Sequence, residues 1–396
     1  MKIILFVYHA SNIGGGTYCL LNILKEIDKN KYRPLVLLRE EGDLVKEINA
    51  LGIEVIFMPS MSLIPYNRSL FERGVISAYR KIKKSFSSFE ALLDRINPDA
   101  VYLNTMMLAP YLKVAKAKGC KTIIHLREHW PFNEHKKQLF RLQQIISNYA
   151  DEVVAINSYS ASMLPYKSST IVYDWIDLSQ RYEYRPFNDI FKEDTSNLKV
   201  YLFTGGLQDI KGAAEVIDVF RTNVTDKTKR LLIVGATSHP NTAGIRNKIK
   251  FIMSKLGIYT YEYKVRKMIK SDSRIVCIPA TYAVKHILEQ AYCNISFFTI
   301  PHANLALAES IIVGTVPVAA KTEESIEYSN QGDLALLFEI GNRSDLLKRL
   351  NELDTNYELI KSKISKDGHL VEKMFNKERN VEILDNVFHK LFLNSK

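Results

Sequence analysis

Short apolar runs of strand length alternate with longer helical patterns twice along this chain, and a polar stretch with neither period separates the two series. In the first series the strand-like runs fall at 3–8, 33–38, 54–58, 100–103, 122–125, 152–156 and 170–173, with helical patterns at 18–27, 44–51 and 110–118. In the second they fall at 199–204, 230–234, 274–278, 295–299, 316–320 and 335–338. Its helical patterns run at 211–221, 243–256, 284–291, 306–313 and 343–351. That alternation is the signature of βαβ units with a parallel sheet covered on both faces. The chain is therefore expected to be α/β, with two Rossmann-like, doubly wound domains facing a cleft, at 1–185 and 186–375, on either side of a polar hinge at 177–198. A last amphipathic pattern at 376–392 is placed so that the helix of 376–396 packs back on the first domain. A length of 396 residues, 46% of them hydrophobic, suits two cores.

Charge narrows the partners. The 54 Lys and Arg against 43 Asp and Glu give a formal net charge of +11, which favours an anionic partner: nucleic acid, acidic lipid or a phosphorylated substrate. No stacking or recognition motif accompanies the charge, so nucleic acid is the weakest of the three. Cys19, Cys120, Cys277 and Cys293 have no CxxC spacing and read as reduced core residues of a cytosolic protein. The opening MKIILFVYH reads as a buried strand, not a signal peptide, and no window holds the ~20 apolar residues of a spanning helix. Membrane contact is then expected to be peripheral at most, on the inner face.

The stretch at 299–318, TIPHANLALAESIIVGTVPV, carries the sharpest chemical signal. Its segment 305–313 reads as an apolar helix stopped by Gly314 and Pro317, interrupted by Glu309, with no Lys or Arg within a turn. A carboxylate there must recover hydrogen bonds from donors brought from elsewhere. It either pairs with a distant basic or capping group, or accepts from a vicinal diol such as a ribose. Pro301, His302, Ala303 and Asn304 would form the helix entrance, where free N–H groups suit a phosphate. Each half also opens with a glycine turn. In YHASNIGGGT, Gly14, Gly15 and Gly16 allow close approach to an anion, although a plain strand-to-helix turn explains them equally well. In FTGGLQDIKG, Lys211 is read at the start of the next helix, a position the dipole opposes, which favours a phosphate ligand.

FTGGLQDIKGAAEVIDVF and, further on, NLALAESIIVGTVPVAA resemble the retaining GT-B glycosyltransferases that use nucleotide-sugar donors, and IIHLREHW, ADEVVAINSYSASML and IVYDWIDL extend the resemblance over nearly the whole chain. The resemblance implies that Lys211 binds the donor diphosphate and that Glu309, as the second glutamate of the family's paired-glutamate motif, holds the ribose hydroxyls. It implies that Asn304 and Leu305 offer backbone amides to the diphosphate and sugar. His125 matches the acceptor-domain histidine over the donor sugar, the catalytic position, while a satisfied core histidine remains the alternative. Three places depart from the pattern. Gly206 stands where the family carries Arg, Pro301 where it carries the first glutamate, and Asp174 and Trp175 replace an Asn-Gly turn. His302 is the residue placed to take over part of the sugar contact.

The implied activity is transfer of a sugar, with retention, from a nucleoside-diphosphate donor. No cofactor and no metal are expected, because no DxD, carboxylate cluster or zinc spacing accompanies the motifs. The acceptor expected is an envelope polysaccharide or a lipid-linked glycan. RSLFERGVISAYRKIKK, at 68–84, interleaves basic with apolar residues and reads equally as a peripheral contact with an anionic membrane or as a solvated helix face. KVRKMIK, at 264–270, reads as a solvated helix. Two other classes remain open: a nucleotide-sugar epimerase on the same architecture, and a non-catalytic partner of an active transferase, motivated by Gly206 and Pro301.

Overall fold

The computed structural model describes residues 1–12, 14–65, 72, 74–130, 136–177, 185–236, 261–281 and 283–393. The chain divides into two compact units, one of Met1–Trp175 with Phe375–Lys396 and one of Ile176–Met374.

In the first unit the apolar runs form β1 (Lys2–Val7), β2 (Tyr32–Leu38), β3 (Glu54–Phe57), β4 (Ala100–Leu103), β5 (Lys121–Leu126), β6 (Glu152–Ala155) and β7 (Thr170–Ile171). They pair in parallel in the order β3-β2-β1-β4-β5-β6-β7. The helices between them are α1 (Gly15–Glu26), α2 (Asp43–Ala50), α3 (Val75–Ile96), α4 (Pro110–Ala117), α5 (Lys136–Tyr149) and α6 (Ser158–Ser162). Strand side chains alternate between two cores, as the pleat dictates. Leu5, Val7, Val101, Leu103 and Ile124 face α3, α4 and α5. Ile4, Phe6, Tyr102 and Ile123 face α1 and the C-terminal helix Lys377–Leu393, which inserts Leu384, Val387, Phe388 and Leu391. The Phe388 ring meets Phe6, Tyr32 and Tyr102 at centroid distances of 6.4, 5.5 and 6.0 Å.

The second unit repeats the plan. Strands β8 (Lys199–Phe203), β9 (Lys229–Val234), β10 (Ile275–Ile278), β11 (Cys293–Ser296), β12 (Val316–Ala320) and β13 (Leu336–Phe338) pair in parallel in the order β10-β9-β8-β11-β12-β13. Its helices are α7 (Phe187–Phe191), α8 (Ala213–Asn223), α9 (Tyr261–Lys270), α10 (Val284–Gln290), α11 (Leu305–Ile312), α12 (Glu323–Tyr328) and α13 (Arg343–Met374). In each sheet the first strand sits between the second and the fourth, so the winding reverses at β1/β4 and again at β8/β11. Such reversal points open a crevice at the carboxyl edge of a parallel sheet. Two Rossmann-like domains are thus present, as expected.

Two expectations change, at the end of the first unit and at the helix read to stop at 351. The first unit ends at Trp175 and not at 185, because Trp175 is buried with Val172 in the α1-side core and the Tyr173 amide donates to Asn380 Oδ1 at 2.9 Å. Part of the expected hinge, 178–184, and the expected helix at 243–256 lie outside the described residues. The helix expected to stop at 351 runs on to a kink at Asn356, beyond which a second helical stretch reaches Met374; Asp354, just before the kink, accepts from Lys199 (3.2 Å), Lys229, Tyr201 and Tyr292. Among the described residues no helix is long and apolar enough to cross a membrane.

Candidate functional site

In the second unit two loops leave the carboxyl edge of adjacent strands. After β8 the chain turns through Gly205 and Gly206, makes a single 3-10 turn at Asp209–Lys211, and enters α8 only after Gly212, whose φ of +70° no other residue adopts cheaply. Lys211 therefore precedes the helix instead of starting it. After β11 the chain runs through Phe297 to Asn304 and into α11. The loops are locked together: the Thr299 amide donates to Ile210 O at 3.1 Å, and a Cβ on Gly212 would lie 2.2 Å from the Phe297 ring.

The lock sets Lys211 Nζ over the Phe298 ring, 4.5 Å from its centroid, and the same ring meets the His302 imidazole edge-on at 5.4 Å. No carboxylate pairs with Lys211 among the described residues, and burial pushes its amine down to about 8. An ammonium that has lost water and gained only a ring face keeps unspent hydrogen-bonding capacity. Asn304 caps α11 by accepting from the Leu307 amide at 3.3 Å, while its buried Nδ2 has no partner among the described residues. One turn further in, Glu309 is half-buried, and no described donor reaches its carboxylate. Burial raises its pKa from 4.5 to about 7. The structure thus brings Lys211, His302, Asn304 and Leu305 to the mouth of one helix, with Glu309 on that same helix.

Gly206 has a φ of +60°, and a Cβ there would lie 2.9 Å from Gly235 O. Its lack of a side chain belongs to the backbone path itself, so an arginine at this position would strain the turn. Phe298, which sequence reasoning did not single out, forms the apolar floor under Lys211. Its only signal was the aromatic doublet ahead of the PHAN segment.

In the first unit the glycines begin α1 instead of preceding it. Gly14 is the N-cap residue, Gly15 and Gly16 form the first turn, and Thr17 Oγ1 accepts from the Gly14 amide at 2.7 Å. A Cβ on Gly15 would meet nothing, whereas one on Gly16 would lie 2.3 Å from the Tyr8 hydroxyl. Gly16→Ala is expected to cost about 1–3 kcal/mol by overpacking and Gly15→Ala under ~0.5 kcal/mol, measured by urea unfolding.

His125 lies on β5, on the face covered by α1 and the C-terminal helix, and is 1% exposed. Its Nδ1 accepts from the Tyr102 hydroxyl at 2.6 Å and faces Arg127 at 3.3 Å, leaving Nε2 protonated and without a described partner. Burial and then the Arg127 charge hold the ring far below its ordinary pKa, hence neutral. This buried, neutral setting is the one that the core-histidine alternative describes. Around it lies a polar cluster that the sequence did not disclose. Arg127 Nη1 donates to both Asp174 oxygens at 2.7 Å and Nε to Asn104 Oδ1 at 2.8 Å, and Glu128 accepts from Thr105, the Met106 amide and the Arg127 amide. Asp174, read only as a departure, is thus the counter-ion of a buried arginine.

No family model matches the chain, and no curated protein matches it by sequence. Solved structures do match. Anabaena Alr3699/HepE in complex with UDP and glucose superposes with a TM-score of 0.73 at 16% identity, covering 98% of this chain and 99% of that one. A glycosyltransferase from Rickettsia africae gives 0.66 at 15% identity, over 99% and 98%. The lipopolysaccharide outer core galactosyltransferase WaaB, in its apo form, gives 0.59 at 16%, over 97% and 100%. At these identities the likeness carries the architecture, and the fold is that of the GT-B glycosyltransferases.

Proposed function

We propose that the protein is a glycosyltransferase whose second unit binds a nucleoside-diphosphate sugar. The observation that carries the reading is a pair of half-buried ionisable groups of opposite sign, without ionic partners among the described residues: Lys211 on the loop after β8, and Glu309 on α11, which follows the adjacent strand β11. A diphosphate supplies what Lys211 lacks, and a ribose diol supplies what Glu309 lacks. The UDP-glucose complexes of HepE support this reading, since that protein shares the architecture.

Transfer breaks the bond between the anomeric carbon and the phosphate oxygen, and the electron pair leaves with the diphosphate. An acceptor hydroxyl forms the new bond on the same face, with retention, and its proton passes to the departing phosphate. Charge developing on the leaving group is met by Lys211, by the N-terminal amides of α11 and by Asn304 Nδ2, so the step is assigned without a metal or cofactor. His302 lies beside Lys211 on the Phe298 ring, placed for the sugar contact that Pro301 does not make. The acceptor proposed is an envelope polysaccharide or a lipid-linked glycan.

Calorimetric titration with UDP and a panel of nucleotide sugars, with donor hydrolysis followed in the same samples, tests the reading. Glu309→Gln is expected to weaken UDP binding about tenfold. It also has a stability signature. Burial raises the folded-state pKa of this acid, so stability is lost as pH rises from 4.5 through about 7, and the Gln variant escapes that loss. Melting curves should show the variant gaining on the parent between pH 5 and pH 8. An equal gap at both pH values would mean that the carboxylate is already compensated. Binding of no nucleotide would favour the partner reading that Gly206 and Pro301 motivate, and interconversion of sugar nucleotides an epimerase.

A further inference from the structure

Among the described residues, α3 and α5 of the first unit carry cations that no acidic side chain pairs. On α3, Arg80, Lys81, Lys83 and Lys84 are all exposed, and no acidic residue occurs before Glu90. On α5, Lys136, Lys137 and Arg141 are exposed and the helix has no acidic residue at all. Among the described residues none of these side chains has an ion-pair partner. On α4, which lies between the two helices, Lys116 pairs with Asp151, and Lys118 just after it pairs with Asp94 at 2.7 Å, while Lys113 adds one more exposed cation without an ion pair among the described residues.

Geometry joins the two helices into one face. Gln138 in the first turn of α5 donates to Pro65 O at 2.6 Å and to the hydroxyl of Tyr79 on α3 at 3.3 Å. Ile76 and Lys83 lie on the same flank of α3 as Tyr79, at helical spacing. Ile76 is 52% exposed and Phe140 on α5 is 55% exposed, so each helix sets one large apolar side chain among its cations. Both helices precede a parallel strand and run against the sheet direction. Their N-terminal ends therefore lie at the carboxyl edge of the sheet, the edge that also carries the Gly14–Gly16 turn.

We propose that this α3/α5 face docks the protein on an anionic lipid bilayer, with Ile76 and Phe140 entering the interface and the cations meeting lipid phosphates. Basic charge alone fits any polyanion. The exposed aliphatic and aromatic pair favours lipid, because a nucleic acid in water gains nothing from Ile76. The choice also rests on the transferase reading, in which a lipid-linked acceptor would arrive at this edge of the sheet.

The full chain is sedimented with phosphatidylglycerol-rich vesicles, with pure phosphatidylcholine vesicles and, separately, with an RNA oligonucleotide, over a salt series. Binding to the anionic vesicles alone, weakening with salt, is expected. The combined change Arg80→Gln, Lys84→Gln, Lys137→Gln should lower the partition constant about fivefold per residue, roughly 100-fold in all. Phe140→Ser should lower it several-fold, and UDP affinity should be unchanged in both variants. Equal binding to both vesicle types, no binding to either, or preference for RNA would each overturn the proposal. Vesicle binding without any UDP binding would overturn the transferase reading and leave the surface standing.

Discussion

Replacing Asp174 by Ala lowers the unfolding free energy of the first unit by about 3–5 kcal/mol. The Arg127 side chain is 7% exposed, and its bidentate partner is this carboxylate. Burial disfavours the guanidinium's charge, but the Asp174 carboxylate, with contributions from Cys19 and Tyr102, more than offsets that, so the pKa of Arg127 is raised. Without Asp174 the cation keeps Asn104 Oδ1 and the His125 Nδ1 lone pair, two neutral acceptors that do not balance a buried charge. Removing both charges together, Arg127→Met with Asp174→Leu, should recover most of the loss, since an apolar pair of similar volume leaves nothing unpaired. The readout is local: the chain's two tryptophans, Trp130 and Trp175, both lie buried in this unit, so their fluorescence in urea follows it alone. A double variant as unstable as Asp174→Ala would show that shape, not charge, is what the pair supplies.

Legibility in the sequence follows interaction range. The strands were readable because a parallel strand covered on both faces must be a continuous apolar run, and 100–103 and 316–320 coincide with β4 and β12. Glu309 was readable for the converse reason, as a charge inside such a run. The Arg127–Asp174 pair was not: its members lie 47 residues apart, and each sits in an ordinary polar context until β5 and the end of the unit are brought side by side. Helix ends failed where side chains from elsewhere set them. Asn351 reads as a stop, yet helical geometry runs on to a kink at Asn356, just past Asp354, which accepts from Lys199 and Lys229 on two strands. His125 stood on a strand in either reading, and the packing of α1 and the C-terminal helix on that face is what encloses it. Lys211 was singled out on an incorrect premise, since Gly212 with its positive φ separates it from α8.

Lys211→Met should weaken UDP binding by about 10- to 100-fold, because a charge-assisted contact to phosphate is worth about 1.5–3 kcal/mol in a buried setting. The pH profile gives the sharper test. Burial lowers this amine from 10.5 to about 8, so below pH 8 the free protein carries a poorly solvated cation that a diphosphate stabilises. Above pH 8 the amine must first take up a proton, and affinity falls by up to about tenfold per pH unit. In the free protein the sign is opposite: the cost of holding this charge is present below pH 8 and is relieved as pH rises towards 10.5. Glu309 sets the other limb. With its pKa near 7 it accepts from both ribose hydroxyls only once deprotonated, so affinity rises through pH 7. UDP affinity should therefore peak between about pH 7 and pH 8, with each limb removable on its own. Lys211→Met should abolish the alkaline fall and Glu309→Gln the acidic rise. An alkaline fall that survives in Lys211→Met would place the titrating group elsewhere and separate this lysine from the diphosphate.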